Sequence, residues 1–161
     1  MKQERVILTK EEIFDVLDQA LKIGKKSVKY LKEFGRADFN NVLFYSEESV
    51  DYLPTIEEWA YNNNINLVVT NTNGKNDYSQ YELEDLKKEN TVLVFKNIYY
   101  VNTEFLNRRL LSTIENHSII NNKIMFNNLI FVIGLNDYNT KSPDMKLTSF
   151  FGHYGYNYID E

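Results

Sequence analysis

The sequence predicts an α/β domain, a three-layer sandwich built on a mainly parallel sheet. Three observations carry that prediction. Short apolar runs without alternation recur at residues 41–45 (NVLFY), 66–70 (NLVVT), 91–95 (TVLVF) and 129–134 (LIFVIG), the pattern of strands buried on both faces. Segments with helical spacing of apolar residues separate them. The 161 residues contain no internal repeat and no Pro- or Ser-rich linker, so residues 1–161 read as one domain, long enough to bury a substantial core.

The elements follow in order. Thr9 and Glu12 have capping-box spacing, and Ile13, Leu17, Ala20 and Leu21 then line one helical face. Gly24 interrupts the pattern. A second helical stretch carries Val28, Leu31 and Phe34 inward and Lys25, Lys26, Lys29 and Lys32 outward, with Gly35 at its end. After the first strand, Pro54 suits the opening turn of a helix over 54–61, with Ile56, Trp59 and Ala60 facing the core. The second strand leads through a loop containing Gly74 to a short acidic helix over 81–88. The third is followed by a helix over 103–115. A hairpin around Asn121 and Asn122 then precedes the fourth strand and an aromatic tail.

Composition excludes several chemistries. The chain has no cysteine, hence no disulfide and no thiol nucleophile, and two histidines make a closed zinc site untenable. His117 and His153 show no metal-ligand pattern and take ordinary polar roles, and no serine sits in a nucleophile-elbow sequence. No apolar run approaches the roughly 20 residues that span a bilayer, and no signal peptide is visible, so a cytoplasmic location is the expectation.

Charge is unevenly placed. The net charge is −5, yet residues 22–36 hold six bases and one acid, and residues 38–89 hold eleven acids and three bases. An acidic middle repels phosphates, which argues against direct nucleic-acid binding there. The basic run could touch nucleic acid, but its spacing also fits a solvated helix face.

In an open parallel sheet, function sits in the loops after the strands' carboxyl ends. After NVLFY, a phosphate-binding loop would need glycines to wrap phosphates and a lysine to neutralise them. The chain has Ser46, Glu47, Glu48, Ser49, Val50, Asp51, Tyr52 and Leu53 instead. After TVLVF, where phosphoryl transfer needs metal-holding acids, stand Lys96 and Asn97. After LIFVIG come Leu135, Asn136 and Asp137, where a polar residue could sense a γ-phosphate.

Taken together, these positions resemble the AAA+ ATPases, in the MoxR-like branch, over about residues 10 to 140. NVLFYSEESVDYLPTIEEWA lies where such proteins have strand, Walker A loop and helix. TVLVFKNIYYVNTEFLNRRLLSTIENHSI lies at Walker B and its helix, and LIFVIGLNDYN at the sensor-1 strand. The resemblance implies a P-loop NTPase-like core in which Asn136 matches the sensor asparagine. It puts about Tyr52 at the Walker A lysine and Lys96 and Asn97 at the Walker B acids. Ser149, Phe150 and Phe151 stand near the expected arginine finger. The chain ends at Glu161, before the usual helical lid, so the resemblance implies a truncated, degenerate core that does not hydrolyse nucleotide, and no cofactor is expected.

The expected function is therefore non-enzymatic protein binding, with no catalytic, cofactor-binding or metal residue. Small size and Asn, Lys, Tyr and Ile richness resemble phage-encoded proteins acting on host machinery. The expected partner-binding residues are Glu47, Glu48, Asp51, Glu57, Glu58, Glu82, Glu84 and Asp85, which would mimic DNA toward a basic replication or DNA-binding protein such as a sliding clamp. No direct nucleic-acid or membrane partner is expected, and a homodimer would lengthen the acidic row. An inactive regulatory subunit of a hetero-oligomeric AAA+ ATPase is the alternative, in which Arg108 or Arg109 would act as fingers toward a neighbour rather than as surface ion pairs.

Overall fold

The computed structural model describes residues 8–34, 41–46, 51–72, 78–96, 119–121, 124–126, 129–137 and 156–158. Thr9 opens the first helix as its spacing predicts. Its backbone N–H donates to Glu12 Oε1 at 3.0 Å, and the Glu12 N–H donates back to Thr9 Oγ1 at 3.1 Å.

The helix that follows, α1 (Lys10–Phe34), is continuous for 25 residues, so the predicted break at Gly24 does not occur. Gly24 is buried against the sheet, where a β-carbon would lie 2.4 Å from both Cγ2 and the carbonyl oxygen of Ile130. Its role is close packing, and the helix on either side supplies the propensity it lacks. Ile13, Leu17, Ala20, Leu21 and Leu31 are buried, but Phe34 is 58% exposed, against the expectation that it points inward.

The strands are β1 (Val42–Ser46), β2 (Asn66–Asn71), β3 (Thr91–Lys96), β6 (Leu129–Asp137) and β7 (Tyr156–Tyr158). All pairings in this sheet are parallel, in the order β2-β3-β6-β1-β7. The strand β7 arises in the aromatic tail, where no strand was expected. The hairpin is present as β4 (Ile119–Asn121) and β5 (Ile124–Phe126), with Asn121 paired to Ile124. The helix expected over 103–115 lies outside the described residues, as do Gly35, Gly74, Arg108, Arg109, His117, His153 and residues 149–151.

The helices α2 (Leu53–Asn62) and α3 (Gln80–Leu86) complete the described elements, each within two residues of its predicted bounds. One sheet face carries Val42, Phe44, Leu67, Val69, Val92, Val94, Phe131 and Ile133 against α1 and α2. Trp59 of α2 packs edge-on against Phe131 at 5.9 Å, and its indole N–H donates to Asp18 Oδ1 of α1 at 2.9 Å. On the opposite face, Thr70 donates to Glu82 Oε2 of α3 at 2.5 Å. Helices therefore cover both faces, which gives the three-layer sandwich. Among the described residues no helix is long and apolar enough to cross a membrane.

Candidate functional site

Strand order locates the crevice. From β1 the chain crosses to β2 at one edge, whereas from β6 it goes on to β7 at the other. Neighbouring strands whose onward connections diverge leave a cleft beyond their carboxyl ends, where open α/β sheets bind ligands. Here that point falls between β1 and β6. Its backbone rim is set by the register: Tyr45 opposite Asn136, and Ser46 opposite Asp137.

Leu135, Asn136 and Asp137 were expected in a loop after the fourth strand. They continue β6 instead, because β1 pairs with β6 through Ser46 and Asp137. Asn136 thus stands within the sheet at the point where the onward connections diverge. Lys96 ends β3 beside β6, and its carbonyl accepts from both the backbone N–H and the hydroxyl of Thr72, at 3.0 and 2.9 Å. Those two bonds tie the end of β2 to the end of β3. Among the described residues, no three His, Cys, Asp or Glu side chains are placed to hold a metal ion.

Tyr52, at the position that the resemblance gives to a phosphate-neutralising lysine, is buried directly before α2. Its ring packs edge-on against Phe44 of β1 at 5.7 Å, and its hydroxyl accepts from the Leu8 N–H at 3.4 Å. Burial raises its pKa above the usual tyrosine value; the Leu8 bond opposes that shift and the nearby Glu12 charge adds to it. A neutral aromatic side chain offers no charge to a phosphate. Sequence reading marked this position as lacking lysine but had no periodic signal for its burial.

The acidic residues fall into two groups. Asp51, Glu57 and Glu58 are exposed at α2. Asp51 Oδ1 accepts from the Leu53 N–H at 3.0 Å, and Glu58 pairs with Lys10 at 2.7 Å. Glu84 and Asp85 are exposed on α3, paired with Lys87 and Lys88 at 3.3 and 2.9 Å. Glu82 has a structural part: it completes a capping box with Ser79 and accepts from Thr70. Glu47 and Glu48 lie outside the described residues. Because α2 and α3 pack on opposite sheet faces, the two groups are not one flat row. Both helices touch β2, an edge strand, one on each sheet face, while Glu58 is held toward the start of α1 by Lys10.

Solved structures with a similar fold include three of Thermotoga maritima RuvB, a AAA+ P-loop ATPase, two of them point mutants. One mutant, a proline-to-glycine replacement, matches with TM-score 0.58 and 19% identity over 94% of this chain and 48% of that one. The other, an alanine-to-serine replacement, matches with TM-score 0.51 and 19% identity, over 84% and 43%. The structure of the Holliday junction branch migration motor matches with TM-score 0.50 and 17% identity, also over 84% and 43%. The chain thus spans under half the length of these RuvB chains. At this identity the likeness establishes an AAA+-like, P-loop NTPase-like fold and nothing finer. Comparison with protein-family models gives no match, and comparison with curated proteins gives none either.

Proposed function

We propose that this chain is a non-hydrolysing protein-binding module on a AAA+-like scaffold, of phage type. In this reading it blocks a DNA-replication or DNA-binding protein, such as a sliding clamp, by presenting an acidic surface in place of DNA. One observation carries the reading: α2 and α3, each bearing exposed carboxylates, pack on the same edge strand, β2, from opposite faces. Carboxylates on either side of an edge can enter a basic channel that normally holds phosphates, and they steer association over long range. Glu84, Asp85 and Glu58 are held by exposed lysines that a basic partner can displace at little cost. Two residues support the non-enzymatic part: Tyr52 is buried and uncharged where the resemblance puts a phosphate-neutralising lysine, and Lys96 ends β3 where it puts a metal-holding acid.

The test is binding to a purified clamp across a salt series. Micromolar or tighter binding that weakens with salt, and is lost when Glu57, Glu58, Glu84 and Asp85 become Gln, Gln, Gln and Asn, is the expected result. Unchanged affinity in that variant overturns the acidic-surface reading. Micromolar affinity for magnesium ATP by calorimetry overturns the non-enzymatic one. An AAA+-like fold also fits a second reading, an inactive regulatory subunit that shapes the site of an intact AAA+ partner. Co-purification with such an ATPase would distinguish it.

A further inference from the structure

At the far end of the molecule from the strands' carboxyl ends, α1 carries a surface of the opposite sign. Gly24 meets Ile130, near the start of β6, so the ten residues that follow run on past the beginning of that strand. Lys22, Lys25, Lys29 and Lys32 recur at spacings of three and four along this part of the helix, which sets them on one ridge, and Lys26 widens it. All five are exposed, and none has an ion-pair partner among the described residues. Glu33 is the sole acid among residues 22–34.

Beside Lys26 the helix turns aromatic. Tyr30 and Phe34 are 52% and 58% exposed, with ring centroids 4.4 Å apart and planes tilted by 39°. Ile23, one heptad before Tyr30, continues the same stripe and is 42% exposed. A solvated helix face explains the lysines, but it does not explain two large rings kept in water beside them.

We infer that this half of α1 is a docking surface for single-stranded nucleic acid, gripped without regard to sequence. Lysine is a compact point charge suited to phosphate, and five of them along about 15 Å of helix follow a sugar–phosphate backbone. Exposed rings next to the ridge offer unpaired bases a stacking surface, which neither a duplex nor an acidic peptide can use. This departs from the expectation of no direct nucleic-acid contact, which rested on the acidic middle of the chain, a different surface. It does not depend on the proposed function, because its test contains no protein partner.

The experiment is fluorescence anisotropy of the intact chain with a labelled 20-nucleotide oligo-dT from 50 to 300 mM salt. Binding is expected, with log affinity falling against log salt at a slope between about −2 and −3.5. Replacing Lys22, Lys25, Lys26, Lys29 and Lys32 by Gln should abolish it, with folding verified by circular dichroism. Tyr30→Ala with Phe34→Ala should weaken binding about tenfold and leave the salt slope unchanged. No binding at 50 mM salt, or binding indifferent to the lysine replacements, overturns the inference. So does a poly-glutamate peptide that competes as well as oligo-dT, which would make the partner an acidic protein. Equal or tighter binding of a 20-base-pair duplex overturns the single-strand assignment.

Discussion

Gly24 on α1 and Ile130 on β6 approach so closely that no side chain fits between them: an added β-carbon would sit 2.4 Å from the isoleucine's carbonyl oxygen. The oxygen belongs to the backbone of a strand buried among its neighbours, so it cannot swing aside.

Gly24→Ala should therefore destabilise the fold, although alanine is the better helix former. The helical gain is about 1 kcal/mol and the enforced separation of helix and sheet outweighs it, for a net loss of about 1–3 kcal/mol. A thermal melt should show the midpoint falling by roughly 3–10 °C. A midpoint at or above the parent's would show that α1 can ride away from β6 freely.

Tyr52 predicts a pH effect with a definite sign. Its folded-state pKa is raised, first by burial, so its share of stability is fully present below the ordinary tyrosine pKa of about 10. As pH rises above that value the unfolded chain loses the proton first, and stability falls. Denaturant midpoints measured from pH 8 to pH 11 should decline less steeply in Tyr52→Phe than in the parent. Parallel declines would remove this residue from the alkaline transition.

The acids of α3 divide between stability and surface. Glu82→Ala removes the capping box with Ser79 and the acceptor of the buried Thr70 hydroxyl, and should cost about 1–2 kcal/mol. Glu84→Gln and Asp85→Asn break only exposed pairs with Lys87 and Lys88, and should stay within about 0.5 kcal/mol of the parent. Urea titration of the three variants checks the contrast.

Asn41 is buried, and its Oδ1 accepts from the Val132 backbone N–H at 2.8 Å. Asn41→Ala leaves that donor unsatisfied between β1 and β6, at a cost of about 1–3 kcal/mol. Hydrogen exchange at the Val132 amide should speed up in the variant, and unchanged protection would mean another acceptor takes over.

The layout of the core was legible because it is written in local patterns. The run TVLVF has no polar face, and it became a strand buried throughout except at its terminal Lys96. The Thr9–Glu12 spacing became a capping box. At Gly24 propensity misled, because the reason for glycine lies across the molecule in Ile130. Phe34 fits the inward spacing of Val28 and Leu31, yet it stands 58% exposed where α1 has run past the start of β6. The acidic residues were legible as a charge segment. Which of them serve the fold, as Glu82 does through Thr70 on another strand, was not.

By itself the sequence determined the class of this protein: an α/β chain of buried parallel strands, with an acidic middle, a basic helix and no cysteine. Those properties follow from apolar runs and charges read within a few residues of one another. Only the tertiary structure decided that β6 lies between β1 and β3, that its end at Asn136 and Asp137 belongs to the sheet, and that α2 and α3 both pack on the edge at β2. The reason is physical. Strand neighbours, and the faces that helices cover, are set by pairings between residues far apart in the chain, such as Val42 with Ile133 and Phe44 with Tyr156, and local periodicity carries no information about partners at that distance.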